Sequence, residues 1–231
     1  MPLLVYCVSR PEQIVNPASG VAGAVVRARR IGGLQVYTSE IADPAERFGN
    51  AESLKEATLQ FQQVLREILL LITPIPFRFP MMVESEEDLE RHLEQEKETY
   101  RAALERIGGA VQYEMVGTWA ADEQTDIATP VSGKQYLERR EQELARVEAI
   151  DSKLRRVTGD LVAEWRRRQD RRAQRWFALV PRQNREKFIA ALKSAGPSQG
   201  FRMRLTGPWP PSEFIVPRED LDPGAPGKLP E

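Results

Sequence analysis

Residues 205–214 read Leu-Thr-Gly-Pro-Trp-Pro-Pro-Ser-Glu-Phe, and this stretch determines how the C-terminal part of the chain can run. Pro208, Pro210 and Pro211 lack a backbone N–H, so the segment cannot form an interior strand of a sheet. Each proline also pushes the residue before it toward extended geometry. The stretch therefore predicts a stiff, extended arm that carries two aromatic residues, Trp209 and Phe214.

The two aromatic rings of this arm have two interpretations. In the first, which physical chemistry alone favours, the rings fold back onto the core of their own domain. In the second, the arm presents both rings to another protein, and its stiffness lowers the entropic cost of binding. Trp209 and Phe214 are therefore candidate protein-interaction residues.

Upstream of the arm, the second half of the chain alternates between strand and helix patterns. The predicted elements are a strand at 111–115, a helix at 132–172, a strand at 174–180, a helix at 185–195 and a strand at 201–205. One narrow apolar stripe runs along the long helix, close to a coiled-coil seam, and consists of Leu144, Val147, Ile150, Leu154, Val157 and Leu161. This order indicates an α+β sandwich, and it is compatible with a ferredoxin-like unit in which one strand is reduced or displaced.

The first half of the chain predicts a second set of strands and helices. The elements are strands at 3–8, 21–29 and 34–39, a helix capped by Ser53 that ends before Pro74, an edge strand at 75–79 and a helix at 85–107. We therefore predict an N-terminal α+β domain at 1–108 and a C-terminal domain at 109–217. Proline, glycine and charge dominate residues 218–231, which predicts a disordered tail.

Composition is that of a globular protein of the cytoplasm. The 231 residues are 41% hydrophobic and 29% charged, and the net charge is −1. One cysteine, Cys7, excludes an internal disulfide and fits a reducing compartment. The apolar runs are too short for a signal peptide or a membrane span, so we expect a cytoplasmic location and no membrane partner.

Catalysis has little support in the sequence. His92 is the only histidine, and it lies in an acidic helix without a partnered nucleophile. Cys7 lies inside an apolar strand, where a buried, inert thiol is expected. One Cys and one His cannot build a closed metal site, and no phosphate-binding glycine loop occurs. We therefore expect no enzymatic activity, no metal and no cofactor.

A basic cluster remains as a second candidate surface. Arginines occupy positions 166–168, 171, 172 and 175, next to Trp165 and Trp176. If this cluster lies on a ferredoxin-like sheet, the protein could be a nucleic-acid or small-ligand binding module. The near-neutral charge and the absence of RNP-like motifs argue against nucleic acid. They favour a docking site for an acidic partner, with Arg167 and Arg171 as contact residues, or for the acidic helix 85–107 of the same molecule.

Three motifs resemble one known protein family. The arm at 205–214 is similar to the L-T-G-P-W-P-P-Y-x-F segment of the GvpL/GvpF gas vesicle proteins, with Ser212 where the family usually has tyrosine. Residues 132–140, Ser-Gly-Lys-Gln-Tyr-Leu-Glu-Arg-Arg, resemble the family's S-G-x-x-Y-L-x-R-R segment. Residues 177–181 with Phe188 resemble its strand-then-helix segment. The N-terminal half matches loosely, and residues 61–64 lack the His-Glu pair of relatives.

The resemblance implies both a fold and a function. It implies two α+β domains, the second a modified ferredoxin-like fold with a long added helix. It also implies a non-enzymatic role in gas vesicle formation, through contacts with the small hydrophobic shell subunit and other accessory proteins. The arm and the seam of the long helix are the candidate contact surfaces.

Overall fold

The structure is a computed structural model that describes residues 1–12, 14–119, 133–169, 173–196 and 201–217. These residues form two units, one of residues 1–111 with 209–217 and the other of residues 112–208. The division lies close to the predicted boundary after residue 108. The segment from Trp209 to Pro217, however, groups with the first unit and not with the second. The predicted disordered tail lies outside the described residues.

The first unit combines a five-stranded sheet with three helices. Its elements are β1 (Leu3–Ser9), β2 (Arg27–Ile31), β3 (Leu34–Glu40), α1 (Pro44–Phe48), α2 (Ala51–Leu71), β4 (Ile75–Pro76), β5 (Met82–Val83) and α3 (Glu86–Ile107). The sheet order is β2-β3-β1-β4, and β5 also pairs with β1. All seven residues of β1 are buried, and β1 contacts both α2 and α3. The strand predicted at 3–8 is therefore present, and it lies inside the sheet between β3 and β4.

The second strand begins later than predicted. Residues Val21–Gly23 form a 3-10 turn, and the strand starts only at Arg27. The turn is held by the Val21 N–H, which donates a hydrogen bond of 2.9 Å to the Tyr6 hydroxyl. Gly32 and Gly33 then supply the positive φ angles, 56° and 81°, that the tight turn between β2 and β3 requires.

The helix caps follow the expected chemistry, with one change of residue. Asn50, not Ser53, caps α2, because its side-chain oxygen accepts hydrogen bonds from the N–H groups of Glu52 and Ser53. Ser85, at which the predicted helix begins, caps α3 by accepting a hydrogen bond of 3.1 Å from the N–H of Asp88. The edge strand predicted at 75–79 is shorter, since β4 ends at Pro76.

Tyr100 of α3 gives the first unit a pH-dependent contribution to stability. Its ring is buried beside Phe77, and burial, with a smaller effect from the charge of Glu96, raises its pKa to about 12. The unfolded tyrosine has its ordinary pKa near 10, so folding favours the neutral phenol. This contribution is full below pH 10 and is lost as the pH rises toward 12.

We therefore expect the free energy of unfolding of the wild type to fall relative to that of Tyr100→Phe between pH about 10 and about 12. Denaturant unfolding of both proteins at a series of pH values measures this difference. Titration of groups other than Tyr100 affects both proteins alike and cancels. A difference that stays constant across the window would contradict the assignment.

The second unit has the element order β-α-β-β-α-β. It contains β6 (Ala110–Trp119, which starts in the first unit), α4 (Gly133–Thr158), β7 (Glu164–Gln169), β8 (Gln174–Pro181), α5 (Arg185–Ser194) and β9 (Phe201–Trp209). The sheet order is β7-β8-β6-β9, and β7 pairs antiparallel with β8. A mixed helix and sheet fold, as predicted, is therefore present in both units.

The long helix is shorter than predicted, because the C-terminal part of the predicted helix forms a strand. It ends at Thr158, where Gly159 takes a positive φ of 45°, and β7 begins at Glu164. The sequence of residues 164–169 suggests the solvated face of a helix, because three consecutive arginines interrupt the alternation of apolar and polar residues that marks a strand. Arg166 is buried in this strand, and its Nε lies 2.8 Å from Oε1 of Glu164. Sequence periodicity cannot predict the burial of a charged residue.

The apolar stripe of α4 is only partly covered within the second unit. Val147, Ile150 and Leu154 are buried, as a core-facing stripe requires, whereas Leu161 lies in the 3-10 turn Gly159–Leu161, beyond the end of the helix. Toward the start of the helix, Leu137 and Leu144 are 62% and 46% exposed. The predicted seam therefore continues as an exposed apolar strip along the first half of α4.

Candidate functional site

The proline arm runs along a sheet edge and then turns. Strand β9 lies at the end of the sheet order, as the missing proline donors require, and extends to Trp209. A 3-10 turn at Ser212–Phe214 follows, in which the Phe214 N–H donates a hydrogen bond of 3.0 Å to the Pro211 carbonyl. The turn separates the two aromatic residues of the arm.

Phe214 is a core residue of the first unit. Its side chain is 0% exposed, so the expectation that the arm presents it to a partner is wrong for this residue. The Arg106 guanidinium of α3 donates hydrogen bonds to the carbonyls of Phe214 and Ile215, the latter at 2.7 Å. A charged donor thus holds the end of the arm on the first unit.

Trp209, in contrast, remains half-buried at the surface of the first unit. The guanidinium carbon of Arg66 lies 5.8 Å from its ring centre, a cation–π arrangement. Leu59 and Leu70 lie on the same face of α2 as Arg66 by helical spacing, and they are 58% and 70% exposed. We call these four residues the α2–Trp209 surface; it combines exposed leucines with an aromatic ring held in place by an arginine.

The basic cluster lies on strands β7 and β8. Arg167 is exposed on β7, at one edge of the described sheet, whereas Arg171 lies outside the described residues. The rings of Trp165, Trp176 and Phe177 are 7%, 0% and 6% exposed. Buried rings cannot stack on bases, so the aromatic platform on which the nucleic-acid hypothesis depends is absent from these two strands.

The candidate reactive residues occupy structural positions. Cys7 is fully buried in β1, and burial raises the pKa of its thiol well above the ordinary value. His92 lies half-buried on α3, with its ring centre 6.1 Å from that of Phe77. Within the described ranges, no three His, Cys, Asp or Glu side chains are grouped to hold a metal ion. Nor does that part of the chain contain a helix long and apolar enough to span a membrane.

Sequence reasoning missed two arginines that position the arm. Arg66 had a usable signal, since it shares a helical face with Leu59 and Leu70, two leucines outside the buried stripe of the helix. Arg106 had none, because its partners are backbone carbonyls 108 and 109 residues away. Such contacts depend on tertiary structure and leave no local pattern.

Comparisons with known proteins agree over nearly the whole chain. The family model for the gas vesicle synthesis protein GvpL/GvpF matches residues 2–216. Gas vesicle protein L of Streptomyces sp. (strain CB03234) is 27% identical over 94% of both chains. In fold, the chain is similar to the crystal structure of gas vesicle protein GvpF from Anabaena sp. PCC7120, with a TM-score of 0.72, 18% identity and coverage of 93% of this chain and 96% of that one.

The crystal structure of GvpF from Microcystis aeruginosa is also similar, with a TM-score of 0.68, 14% identity and coverage of 93% and 99% of the two chains. At these identities the two crystal structures bear on the fold alone. The family match spans β1 to the proline arm and includes all three motifs quoted from the sequence. The chain therefore belongs to the GvpL/GvpF family of gas vesicle proteins.

Proposed function

We propose that this protein is a non-enzymatic assembly or minor structural protein that binds the small hydrophobic shell subunit and other gas vesicle accessory proteins during vesicle formation. The observation that carries the proposal is the family match over residues 2–216. The buried thiol of Cys7 and the position of the His92 ring next to Phe77 support a binding role over a catalytic one. The site of action would be the cytoplasm and the growing gas vesicle.

The α2–Trp209 surface is the proposed contact for the shell subunit. A small hydrophobic subunit must be kept from aggregating before it joins a wall, and this needs an apolar surface that binds reversibly. Leu59 and Leu70 supply exposed apolar area, and Trp209 supplies a large, rigid ring. The exposed strip of α4 at Leu137 and Leu144 is a second proposed surface, for accessory proteins.

The fold of the second unit is consistent with this role. We infer that it is a modified ferredoxin-like unit, because its element order is β-α-β-β-α-β and its central strands are β8 and β6. The strand that was missing from the sequence-based prediction is β7. One sheet edge is then the arginine-rich β7, a composition that discourages uncontrolled edge pairing.

Complementation tests the proposal. In a gas-vesicle-producing host that lacks the corresponding gene, wild type should restore the turbidity that collapses under pressure. The variant Leu59→Glu with Leu70→Glu should restore little of it, because two carboxylates would have to be desolvated in an apolar contact. Val25→Glu is the matched control, since Val25 is 71% exposed in the same unit and lies outside the α2–Trp209 surface. Full restoration by the double variant would contradict the proposed surface.

A further inference from the structure

Strand β2 forms one edge of the sheet in the first unit, and its outer side has no neighbouring strand in the described part of the chain. Its pairing with β3 closes at Ile31 and Leu34 around a two-residue turn, and such a closing pair shares hydrogen bonds. Hydrogen-bonded and non-hydrogen-bonded pairs alternate along antiparallel strands, so the N–H and C=O groups of Ala28 and Arg30 point away from β3. These outward groups form a row on which another strand can pair.

The opposite edge of the same sheet is poorly suited to accept a strand. Strands β4 and β5 lie there, and each has only two residues. Pro76 ends β4, and Pro80 lies between the two strands, so two backbone donors are missing from this edge. Strand β2, in contrast, has five residues and contains neither proline nor glycine. Of the two edges of this sheet, β2 is therefore the one that can extend it.

The three arginines of β2 differ in their partners. Arg27 and Arg29 each form an ion pair with a glutamate. Arg30 is exposed and donates a hydrogen bond of 3.1 Å to the Pro11 carbonyl, and none of the carboxylates in the described ranges pairs with it. A carbonyl is neutral, so the charge of Arg30 can pair with an acidic residue on an added strand. A second copy of β2 is disfavoured, because each antiparallel register would place arginine against arginine.

An apolar contact lies on the same face of β2, two residues from Arg30. Ala28 pairs with Tyr37 across the strands, and the Tyr37 hydroxyl accepts a hydrogen bond of 3.2 Å from the N–H of Val15. Ile14, next to Val15, is 63% exposed. The small side chain of Ala28 leaves room on this face for a larger one. A strand added to β2 would therefore place one residue opposite Arg30 and, two positions away, an apolar residue opposite Ala28.

We propose that β2 binds an extended segment of a protein partner that carries an acidic and an apolar residue two positions apart. The segment adds to the sheet as a further strand, and its main-chain hydrogen bonds to Ala28 and Arg30 supply affinity. The carboxylate on Arg30 and the apolar side chain over Ala28 supply specificity. This inference goes beyond the proposed function, since β2 contains none of the residues of the α2–Trp209 surface.

The test measures fluorescence anisotropy of a fluorescein-labelled threonine peptide that carries one valine and one glutamate two positions apart. Arg30→Glu should bind this peptide about tenfold more weakly than wild type, because attraction between the paired strands becomes repulsion. The same variant should regain affinity for a peptide with lysine in place of the glutamate, and this recovery excludes loss of folding as the cause. Arg47→Glu is the matched control, an exposed arginine on α1 of the same unit, and should bind within about twofold of wild type.

A second variant, Ala28→Pro, tests the main-chain contacts. The N–H of Ala28 points away from β3, so proline removes an outward donor and leaves the hydrogen bonds between β2 and β3 in place. This variant should also bind about tenfold more weakly. The proposal is overturned if wild type does not bind the glutamate peptide at about 1 mM, or if it binds the lysine peptide equally well. Unchanged affinity in either variant, or a loss in Arg30→Glu that the lysine peptide does not restore, would overturn it as well.

Discussion

Gly207→Ala is expected to lower the free energy of unfolding by about 3 kcal/mol, because two separate costs meet at this residue of the proline arm. Gly207 has a φ of 121°, a region that residues with a side chain rarely adopt. A Cβ atom there would also lie 2.8 Å from the Gln112 carbonyl oxygen and 3.0 Å from the Tyr113 ring. The backbone carbonyl cannot move aside without disturbing β6.

Gly159→Ala is the matched control for this prediction. Gly159 also has a positive φ, 45°, but a Cβ added there meets nothing within 4 Å. The control therefore pays only the conformational cost of about 1 kcal/mol. Denaturant unfolding followed by tryptophan fluorescence gives both values. If Gly207→Ala costs no more than Gly159→Ala, the close contact with β6 is not what requires glycine in the Leu-Thr-Gly-Pro-Trp motif.

Phe214→Ala is expected to lower the stability of the first unit by about 3–5 kcal/mol, the usual cost of removing a fully buried phenylalanine. The ring is 0% exposed, and Arg106 fixes the backbone around it through the carbonyls of Phe214 and Ile215. Trp209→Ala, in the same arm, removes a half-buried ring and one cation–π contact, so about 1 kcal/mol is expected.

The contrast between the two substitutions separates packing from recognition. Thermal unfolding of both variants should show a large shift for Phe214→Ala and a small one for Trp209→Ala. Equal, small shifts would mean that Phe214 is not core, and the arm would then present both rings as one surface. A double substitution of both residues cannot report on binding, because loss of the Phe214 packing would dominate its effect.

The elements with strong periodicity and clear caps were predictable from sequence. The fully apolar β1 and the acidic start of α3 behind Ser85 agree with the structure because local pattern and burial coincide there. The edge position of β9 was also predictable, since prolines remove backbone donors wherever the chain folds.

Other features depend on contacts that no local pattern encodes. Strand β7 was predicted as helix because buried positions are ordinarily predicted from apolar residues. The buried residue here is Arg166, a charged side chain that pairs with Glu164. Phe214 was a candidate contact residue because an extended arm would expose it, and only the 3-10 turn after Pro211 reverses its direction. Of the candidate site, Trp209 and Arg167 lie at the surface, and nothing in the sequence distinguished them from Phe214.

Direct binding between the purified protein and the gas vesicle shell subunit tests the central proposal most closely. Trp209→Ala should weaken this binding by about tenfold while leaving the fold intact. Trp119→Ala is the matched control, because Trp119 is also half-buried under an arginine, with the Arg146 guanidinium carbon 5.7 Å from its ring centre. We predict that this control binds the shell subunit as tightly as wild type. Unchanged affinity in Trp209→Ala, or equal loss in both variants, would contradict the proposed role of the α2–Trp209 surface.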